Sequence, residues 1–293
     1  MELQGQLEEL KRSGIGIVAI SYDSPAVLAD FAERRGITFP LLSDEGSLII
    51  TEYGILNTVA AEAMGPNQQD PGVVADIAKY VSIFGSNQII VGTPFPGTFM
   101  LNSEDRVVSR FFEEFYRERN TTSNVMLKLG IGLSPIAAIT GETAQLNFTA
   151  YPSNSSVSAG ARFSIAVDVE PGADMHVYAP GAETMGYRVI GLNFAPSEHV
   201  RFEPVDFPAS EIYHFEPLDE YVPVYMQPFT LLQEVVVEAS AEAGAALEEL
   251  DALTLSGSFD YQACDDAFCF NPVSVPLTFT LDLQPNDNQG ANR

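Results

Sequence analysis

The sequence predicts two domains of different class, an α/β domain followed by an all-β sandwich of immunoglobulin-like size. With 293 residues, 46% of them hydrophobic, the chain is long enough to form two hydrophobic cores. In the first third of the chain, helical and strand-like hydrophobic periods alternate. From about Gln145 onwards, short runs of alternating apolar and polar residues are separated by proline and glycine, which is typical of an antiparallel sandwich.

The first domain is predicted to follow a βαβ order and then a hairpin. A helix ending at Gly14 precedes an apolar, buried strand over residues 15–20. Ser24 and Pro25 supply the N-cap and the first-turn proline of a second helix, which stops at Gly36. Three further elements complete the domain: a strand over residues 39–42, an inserted helix around 73–84 and a hairpin with its turn at 102–105.

In the β region, the clearest strands are those predicted over residues 163–169, 253–261 and 273–283. The domain boundaries that we expect are 1–118 for the α/β domain, 119–144 for a linker, 145–284 for the sandwich and 285–293 for a disordered tail.

Composition argues against several classes of partner. The chain has 14 basic and 40 acidic residues, a formal net charge of −26, which repels nucleic acid and anionic lipid surfaces. No apolar run reaches the roughly 18 residues that a membrane-spanning helix needs, and the N-terminus lacks the features of a secretory signal. There is no dinucleotide fingerprint, P-loop or nucleophile elbow, so no cofactor is expected.

The chain has two cysteines, Cys264 and Cys269, with four residues between them. They lie between two predicted strands and can face each other across a hairpin, where Cα atoms are about 4.5–5.5 Å apart, as a disulfide requires. Because so small a loop gains little stability from the bridge, a redox role is favoured; a structural disulfide is the alternative. The three histidines show no ligand spacing to the cysteines, so no metal site is expected.

Asp265 and Asp266 follow the first cysteine directly. Carboxylates beside a thiol disfavour the thiolate, so the couple is expected to be comparatively reducing. We therefore expect the pair to be reduced by an attacking partner thiol and then to pass its electrons to a more oxidising disulfide.

Three segments carry a family resemblance: Tyr261–Leu281 (YQACDDAFCFNPVSVPLTFTL), His176–Gly181 (HVYAPG) and Val222–Tyr225 (VPVY). Over about residues 155–283 the chain resembles the N-terminal domain of DsbD-type thiol:disulfide interchange proteins. Such domains are immunoglobulin-like and extracytoplasmic, and they pass electrons from a membrane-embedded thiol relay to partner oxidoreductases. The resemblance implies that Cys264 and Cys269 are the catalytic pair and that the partners are thiol:disulfide oxidoreductases and such a relay.

The same resemblance implies surroundings for the pair. The family shields its disulfide with an acidic-aromatic cap loop, and Asp219, Glu220 and Tyr221 resemble that loop; an ordinary solvated turn is the alternative. Tyr261 and Phe268 are expected to pack beside the pair, in the core or at its rim.

Four segments of the first domain resemble the redoxin branch of the thioredoxin fold, the peroxiredoxin (AhpC/TSA) group: Val18–Pro25, Phe39–Asp44, Tyr53–Ile55 and Pro94–Phe99. The resemblance implies a thioredoxin-like fold with a cis-proline at Pro96. The family's reactive cysteine begins the helix before the first of these strands, but this chain has no cysteine before Cys264. We therefore expect an incomplete domain without peroxidase activity, either an N-terminally truncated chain or a degenerate redoxin module that docks partners.

The sequence thus predicts a thiol:disulfide oxidoreductase that exchanges the Cys264–Cys269 disulfide with partner thiols in the periplasm or another extracytoplasmic compartment. The alternative is a non-catalytic, partner-binding scaffold with a structural disulfide.

Overall fold

The computed structural model describes residues 2–63, 65–84, 94–112, 118–216 and 219–285. By its contacts the chain divides into two units, Met1–Tyr116 and Arg117–Arg293. Most of the tail predicted at 285–293 lies outside the described residues.

The first unit contains a βαβ segment and a hairpin, as predicted. Its helices are α1 (Glu2–Gly5), α2 (Leu7–Arg12), α3 (Pro25–Arg35), α4 (Leu48–Glu52), α5 (Thr58–Ala63) and α6 (Pro71–Phe84), and its strands are β1 (Ala19–Ser21), β2 (Leu41–Ser43), β3 (Gly97–Leu101) and β4 (Val107–Phe112). Strands β1 and β2 pair in parallel, and β3 and β4 pair antiparallel. The Ser24 side chain caps α3 by accepting the Val27 N–H, and Gly36 ends the helix at a φ of 62°.

The first strand is shorter and more exposed than predicted. Residues 15–18 precede β1, and Val18 and Ile20 are 52% and 42% exposed. Within the described part of the chain, β1 pairs only with β2, and a two-stranded sheet leaves apolar side chains open to solvent.

The peptide bond before Pro96 is trans, as are all peptide bonds of the described residues, so the predicted cis-proline is wrong. The Phe95 N–H donates to the Ile55 carbonyl (2.6 Å), and Pro94 forms a β-bridge with Leu56. These contacts hold the segment against residues 55–56 while the bond before Pro96 stays trans. The trans isomer of such a bond is intrinsically favoured over the cis isomer by about 0.5–1 kcal/mol.

In the second unit, two sheets form a sandwich. One contains β5 (Arg119–Asn120), β6 (Ile139–Glu142), β7 (Leu146–Pro152), β9 (Ala161–Pro171), β12 (Val200–Asp206) and β15 (Phe229–Val237); the other contains β8 (Ser156–Val157), β11 (Gly191–Phe194), β16 (Ala252–Tyr261) and β18 (Val273–Leu283). The strand order is β12-β15-β9-β7-β6, with β5 beside β9, in the first sheet and β11-β16-β18-β8 in the second. Phe163 of one sheet and Phe259 and Phe279 of the other are almost wholly buried in one shared core.

A third, smaller sheet extends the sandwich and carries the two cysteines' hairpin. It contains β10 (His176–Tyr178), β13 (Glu211–Phe215), β14 (Glu220–Tyr225) and β17 (Ala263–Cys264), in the antiparallel order β13-β14-β10-β17. Strand β17 begins only one residue after β16 ends, so the chain passes directly from the sandwich into this sheet. Two helices complete the described part of the unit: α7 (Thr122–Lys128) and α8 (Ala241–Glu248), along with a 3-10 turn at Ala182–Met185.

The segment 119–144 is part of the second unit rather than the expected linker. Strand β5 pairs with β9, β6 pairs with β7, and Met126 of α7 is 1% exposed. Its small residues and glycines suggest a linker, but Leu127 packs against Tyr151 and Ala166 on the sheet. This apolar contact, which depends on residues distant in the chain, makes the segment an integral element.

Candidate functional site

Cys264 and Cys269 form a disulfide at the end of a tight hairpin, with Cα atoms 4.1 Å apart. They are directly opposed across an antiparallel bridge. Backbone hydrogen bonds of 2.9 Å flank the pair on both sides, from Asp265 N–H to Phe268 O and from Phe270 N–H to Ala263 O. The cysteines therefore occupy a non-hydrogen-bonded position of the ladder, where opposed Cα atoms come closest.

The two aspartates of the hairpin have separate hydrogen-bond partners. The Asp265 carboxylate accepts the N–H groups of Ala267 (2.7 Å) and Phe268 (2.6 Å), which closes the turn and holds its pKa below the usual value. Asp266 accepts the Tyr213 hydroxyl (2.7 Å). Both carboxylates thus help to build the hairpin and its contact with β13.

The two sulfur-bearing side chains differ in exposure. Cys264 is 1% exposed and packs in a small hydrophobic cluster with Tyr178, Val222 and Val224. Cys269 is exposed. Because thiol–disulfide exchange requires direct approach to a sulfur atom, the exposed Cys269 is the more accessible end of the disulfide.

Tyr178 contacts the exposed cysteine from β10. Its hydroxyl lies 3.3 Å from Cys269 Sγ, and because a disulfide sulfur carries no proton, the hydroxyl is the donor. Burial, with smaller contributions from Tyr187, Tyr213 and Glu220, raises the pKa of Tyr178 well above its usual value. The hydroxyl therefore keeps its proton throughout the physiological range.

A second tyrosine supports Tyr178. The Tyr187 ring stacks on it with ring centres 4.2 Å apart, and the Tyr187 hydroxyl donates to Glu220 (2.6 Å). This hydrogen bond raises the pKa of Tyr187. A chain of contacts therefore runs from Glu220 through two tyrosines to Cys269.

His176 lies on the buried side of the disulfide. It is 3% exposed and sits directly opposite Cys264 in the pairing of β10 with β17. Its ring centre is 4.7 Å from that of Tyr213 and 5.5 Å from that of Tyr178. Burial lowers the pKa of His176, and the charges of Asp266 and Asp265 oppose that effect.

The residues that resemble a cap loop are divided between two places. Glu220 is joined to the disulfide through the tyrosines described above. The neighbouring residues instead engage His214: Asp219 shares a hydrogen bond of 2.9 Å with its Nε2, and the Tyr221 ring stacks on it at 4.4 Å.

The two aromatic residues expected beside the pair also separate. Tyr261 is 2% exposed and belongs to the sandwich core, where its ring lies 5.3 Å from that of Phe259. Phe268 is 72% exposed in the turn next to Cys269.

Sequence reasoning missed four aromatic residues of this site. His176 and Tyr178 lie in the HVYAPG segment, so a signal for their importance was present although it assigned them no role. Tyr187 and Tyr213 carry no such signal, because only the pairing of β13, β14 and β10 and the stacking of rings place them here.

Two further features concern the described residues as a whole. They include no group of three or more His, Cys, Asp or Glu side chains arranged to hold a metal ion. Nor do they include a helix long and apolar enough to cross a membrane.

The fold and the site together define a class: a thioredoxin-like redoxin domain joined to an immunoglobulin-like β-domain that carries a hairpin disulfide. Residues 1–110 match the AhpC/TSA family, and residues 146–280 match the family described as thiol:disulfide interchange protein DsbD, N-terminal. The predicted fold classes and both family resemblances are thereby confirmed. The two domain types and the cysteine pair support a thiol–disulfide redox function.

Individual proteins resemble parts of the chain. Peroxiredoxin Bcp of Escherichia coli is 38% identical over 53 residues, which make up 18% of this chain and 34% of that protein. The chain therefore spans about a third of the length of this curated relative. In the crystal structure of the N-terminal periplasmic domain of ScsB from Proteus mirabilis, the similarity covers 53% of this chain and 54% of that one, at 14% identity and a TM-score of 0.33.

Proposed function

We propose that this protein is a thiol:disulfide oxidoreductase in which Cys269 is the sulfur that partners attack. The observation that carries the proposal is the difference in exposure between the two cysteines, with Cys264 only 1% exposed and Cys269 open to solvent. A disulfide with one accessible sulfur allows attack at a single atom and leaves the second cysteine to complete the exchange.

The exchange proceeds in two steps. A partner thiolate attacks Cys269 Sγ, the Cys264–Cys269 bond breaks, and a mixed disulfide with Cys269 forms while Cys264 leaves as a thiolate. A second thiolate of the partner then attacks the partner sulfur that is bonded to Cys269. This releases Cys269 and leaves the protein reduced and the partner oxidised. In the reverse direction, Cys269 attacks a partner disulfide and Cys264 resolves the mixed disulfide.

The partners in this proposal are thiol:disulfide oxidoreductases, including a membrane-embedded thiol relay, and the compartment is the periplasm or another extracytoplasmic space. The match to the DsbD N-terminal family supports both, and a disulfide persists more readily in an oxidising compartment than in the cytosol. Since residues 1–263 contain no cysteine, thiol exchange in this chain is assigned to the second unit and no peroxidase activity to the first.

Single cysteine variants test the proposal. Cys264→Ser leaves an accessible thiol and should accumulate a mixed disulfide at Cys269 when the full chain is mixed with glutathione disulfide, whose adduct holds no second thiol that could reverse it. Cys269→Ser leaves a buried thiol and should form such an adduct at least about tenfold more slowly, since exchange depends on access. Mass measurement of the adducts gives the result.

The wild-type protein decides between this function and a scaffold. Alkylation across a series of redox buffers should show the disulfide being reduced while the protein stays folded. A bond that resists reduction until the protein unfolds would instead support a structural disulfide. A reduction potential as positive as those of oxidising thiol catalysts would contradict the reducing couple that we expect.

A further inference from the structure

The buried side of the disulfide contains a titratable group that the exchange described above does not use. We propose that His176 is the acid–base partner of Cys264, taking the proton from its thiol when the disulfide closes and returning it when the disulfide opens. This inference rests on the proposed function and adds a proton path to it.

His176 lies beside Cys264 in the third sheet. It pairs directly with Cys264 across β10 and β17, and opposed residues of antiparallel strands point to the same face, with Cβ atoms about 4.5–5.5 Å apart. The two side chains are 3% and 1% exposed, so both face the same buried space. The imidazole and the sulfur that must gain or lose a proton are therefore carried by neighbouring side chains on one buried face.

Exchange at this disulfide needs a proton donor and acceptor near Cys264. When Cys269 is attacked, Cys264 leaves as a thiolate inside an apolar cluster with Tyr178, Val222 and Val224. Burial in apolar surroundings disfavours the thiolate, and the enclosed site keeps bulk water from protonating it. A proton donor and acceptor inside the protein removes this barrier in both directions.

The other groups facing His176 are engaged in hydrogen bonds with other partners. Tyr178 donates to Cys269 Sγ, and its pKa is raised by burial. Tyr213 donates to Asp266, and that hydrogen bond, with some burial, raises its pKa to about 12. Asp265 is held ionised by the turn N–H groups. Among these neighbours, only the imidazole changes its protonation readily near neutral pH.

The surroundings of His176 suit this role. Burial keeps the resting imidazole neutral and able to accept a proton, while the nearby carboxylates of Asp266 and Asp265 stabilise the imidazolium once it forms. Because burial and the two carboxylates have opposite effects on its pKa, the imidazole can both accept a proton from the Cys264 thiol and return one to the Cys264 thiolate.

In the closing step, the imidazole takes the Cys264 thiol proton, and the resulting thiolate attacks Cys269 Sγ of the mixed disulfide. The Cys264–Cys269 bond forms, the bond from Cys269 to the partner sulfur breaks, and the partner leaves as a thiolate with the electron pair. The imidazolium then gives its proton to solvent or to the departing thiolate; the protein is oxidised to the disulfide and the partner disulfide is reduced.

Stopped-flow mixing of the reduced full chain with the chromogenic disulfide dithiobis-nitrobenzoate separates the two steps. Attack by Cys269 releases one coloured thiolate in a phase whose rate increases with reagent concentration. Resolution by Cys264 releases the second in a phase whose rate does not. In the wild type, the rate of the second phase should rise as His176 loses its proton and then reach a plateau. The midpoint of this rise should lie below the pKa of an ordinary histidine.

His176→Gln should slow the second phase about 10²-fold near neutral pH, the range that general acid–base catalysis typically contributes, and leave the first phase unchanged. In this variant, the rate of the second phase should rise steadily with pH, because it depends only on ionisation of the Cys264 thiol. His176→Phe, which retains a ring against Tyr178 and Tyr213, should behave in the same way. The matched control, His199→Gln, should retain the wild-type profile of both phases.

The outcomes separate this inference from the function on which it rests. A second phase with wild-type rate and pH dependence in folded His176 variants overturns the inference and leaves the oxidoreductase intact. If the rate of the second phase in the wild type rises over the whole pH range without a plateau, the inference is overturned, even where the His176 variants fail to fold. A disulfide that cannot be reduced in the folded protein removes the function and the inference together.

Discussion

At the residue scale, the chemistry of the site depends on what each sulfur atom contacts. Cys269 faces solvent and receives a hydrogen bond from Tyr178, whereas Cys264 is enclosed opposite His176. The hydroxyl that donates to the disulfide can donate to a Cys269 thiolate in the reduced protein, and a charged sulfur is a stronger acceptor than a neutral one. Tyr178 should therefore favour ionisation of Cys269.

Removal of this hydroxyl should make Cys269 less acidic. In Tyr178→Phe, the pKa of the Cys269 thiol should rise by about 1–2 units, since a hydrogen bond to a charged group is worth about 1.5–3 kcal/mol and one unit is about 1.4 kcal/mol. The pH dependence of alkylation by iodoacetamide, measured in a Cys264→Ser background, gives this pKa.

The control for this prediction is Tyr221→Phe, because Tyr221 is 59% exposed and stacks on His214. It should leave the Cys269 pKa unchanged. Equal pKa values for the parent and Tyr178→Phe would show that the hydroxyl does not stabilise the thiolate.

At the scale of elements, helix α7 shows how a segment of weak pattern becomes part of the fold. Its N-cap, Thr121, accepts the Asn124 N–H at 3.1 Å, and Met126 is almost wholly buried. The Asn124 side chain also contacts the sheet, since its Oδ1 accepts the Ser164 hydroxyl at 2.6 Å. The helix therefore contributes to the stability of the sandwich.

Met126→Ala should destabilise the second unit by about 2–5 kcal/mol, because it opens a cavity beneath α7. The thermal midpoint should fall by roughly 2–4 °C for each kcal/mol in a unit of this size. Calorimetry of the full chain measures the shift.

Met185→Ala is the matched control, since Met185 is 45% exposed and should change the midpoint little. If both substitutions had the same small effect, α7 would be a loosely attached segment, as the sequence-based linker assignment expects.

At the scale of the whole molecule, acidic side chains outnumber basic ones, and some basic side chains pair with more than one carboxylate. Of 14 basic residues in the sequence, Lys128 and Arg162 both form ion pairs with Glu234, and Arg162 also pairs with Glu118 at 2.8 Å. Burial by itself would raise the pKa of Glu234, but Lys128, Asn124 and Arg162 bring it below its ordinary value. The charged carboxylate thus stabilises the folded state.

The sign of the pH dependence follows from this lowered pKa. The stabilisation by Glu234 is fully present above its unfolded-state pKa, near 4.5, and is lost as the pH falls through the lower folded-state value. Glu234→Gln should therefore lower the free energy of unfolding by about 1.5–3 kcal/mol at neutral pH. The difference between variant and wild type should shrink as the pH falls below 4.5 and through the lowered folded-state pKa, as denaturant titrations at several pH values can measure.

Glu198→Gln serves as the control for this effect, because the Glu198 side chain is 88% exposed. It should be nearly neutral at every pH. A constant difference between Glu234→Gln and wild type from acid to neutral pH would contradict the role of the ionised carboxylate.

Local pattern was sufficient for much of the fold. The period of hydrophobic residues predicts α3 with its Ser24 cap and Gly36 stop, and it predicts β18 with the bounds that the structure has, Val273–Leu283. These features depend on neighbours in the chain, which a sequence displays directly. The hairpin that brings Cys264 and Cys269 together is local in the same sense, because only five positions separate them.

The sequence by itself therefore determined the two domain classes and the disulfide hairpin. The tertiary structure decided which sulfur is accessible, because burial of Cys264 requires β10 and β14 to pack around β17. It also placed Tyr178 on Cys269 and His176 opposite Cys264, across 91 and 88 positions of the chain. The physical reason is that exposure and hydrogen bonding at a site depend on distant strands meeting there, and single-sequence periodicity records only each strand's own faces.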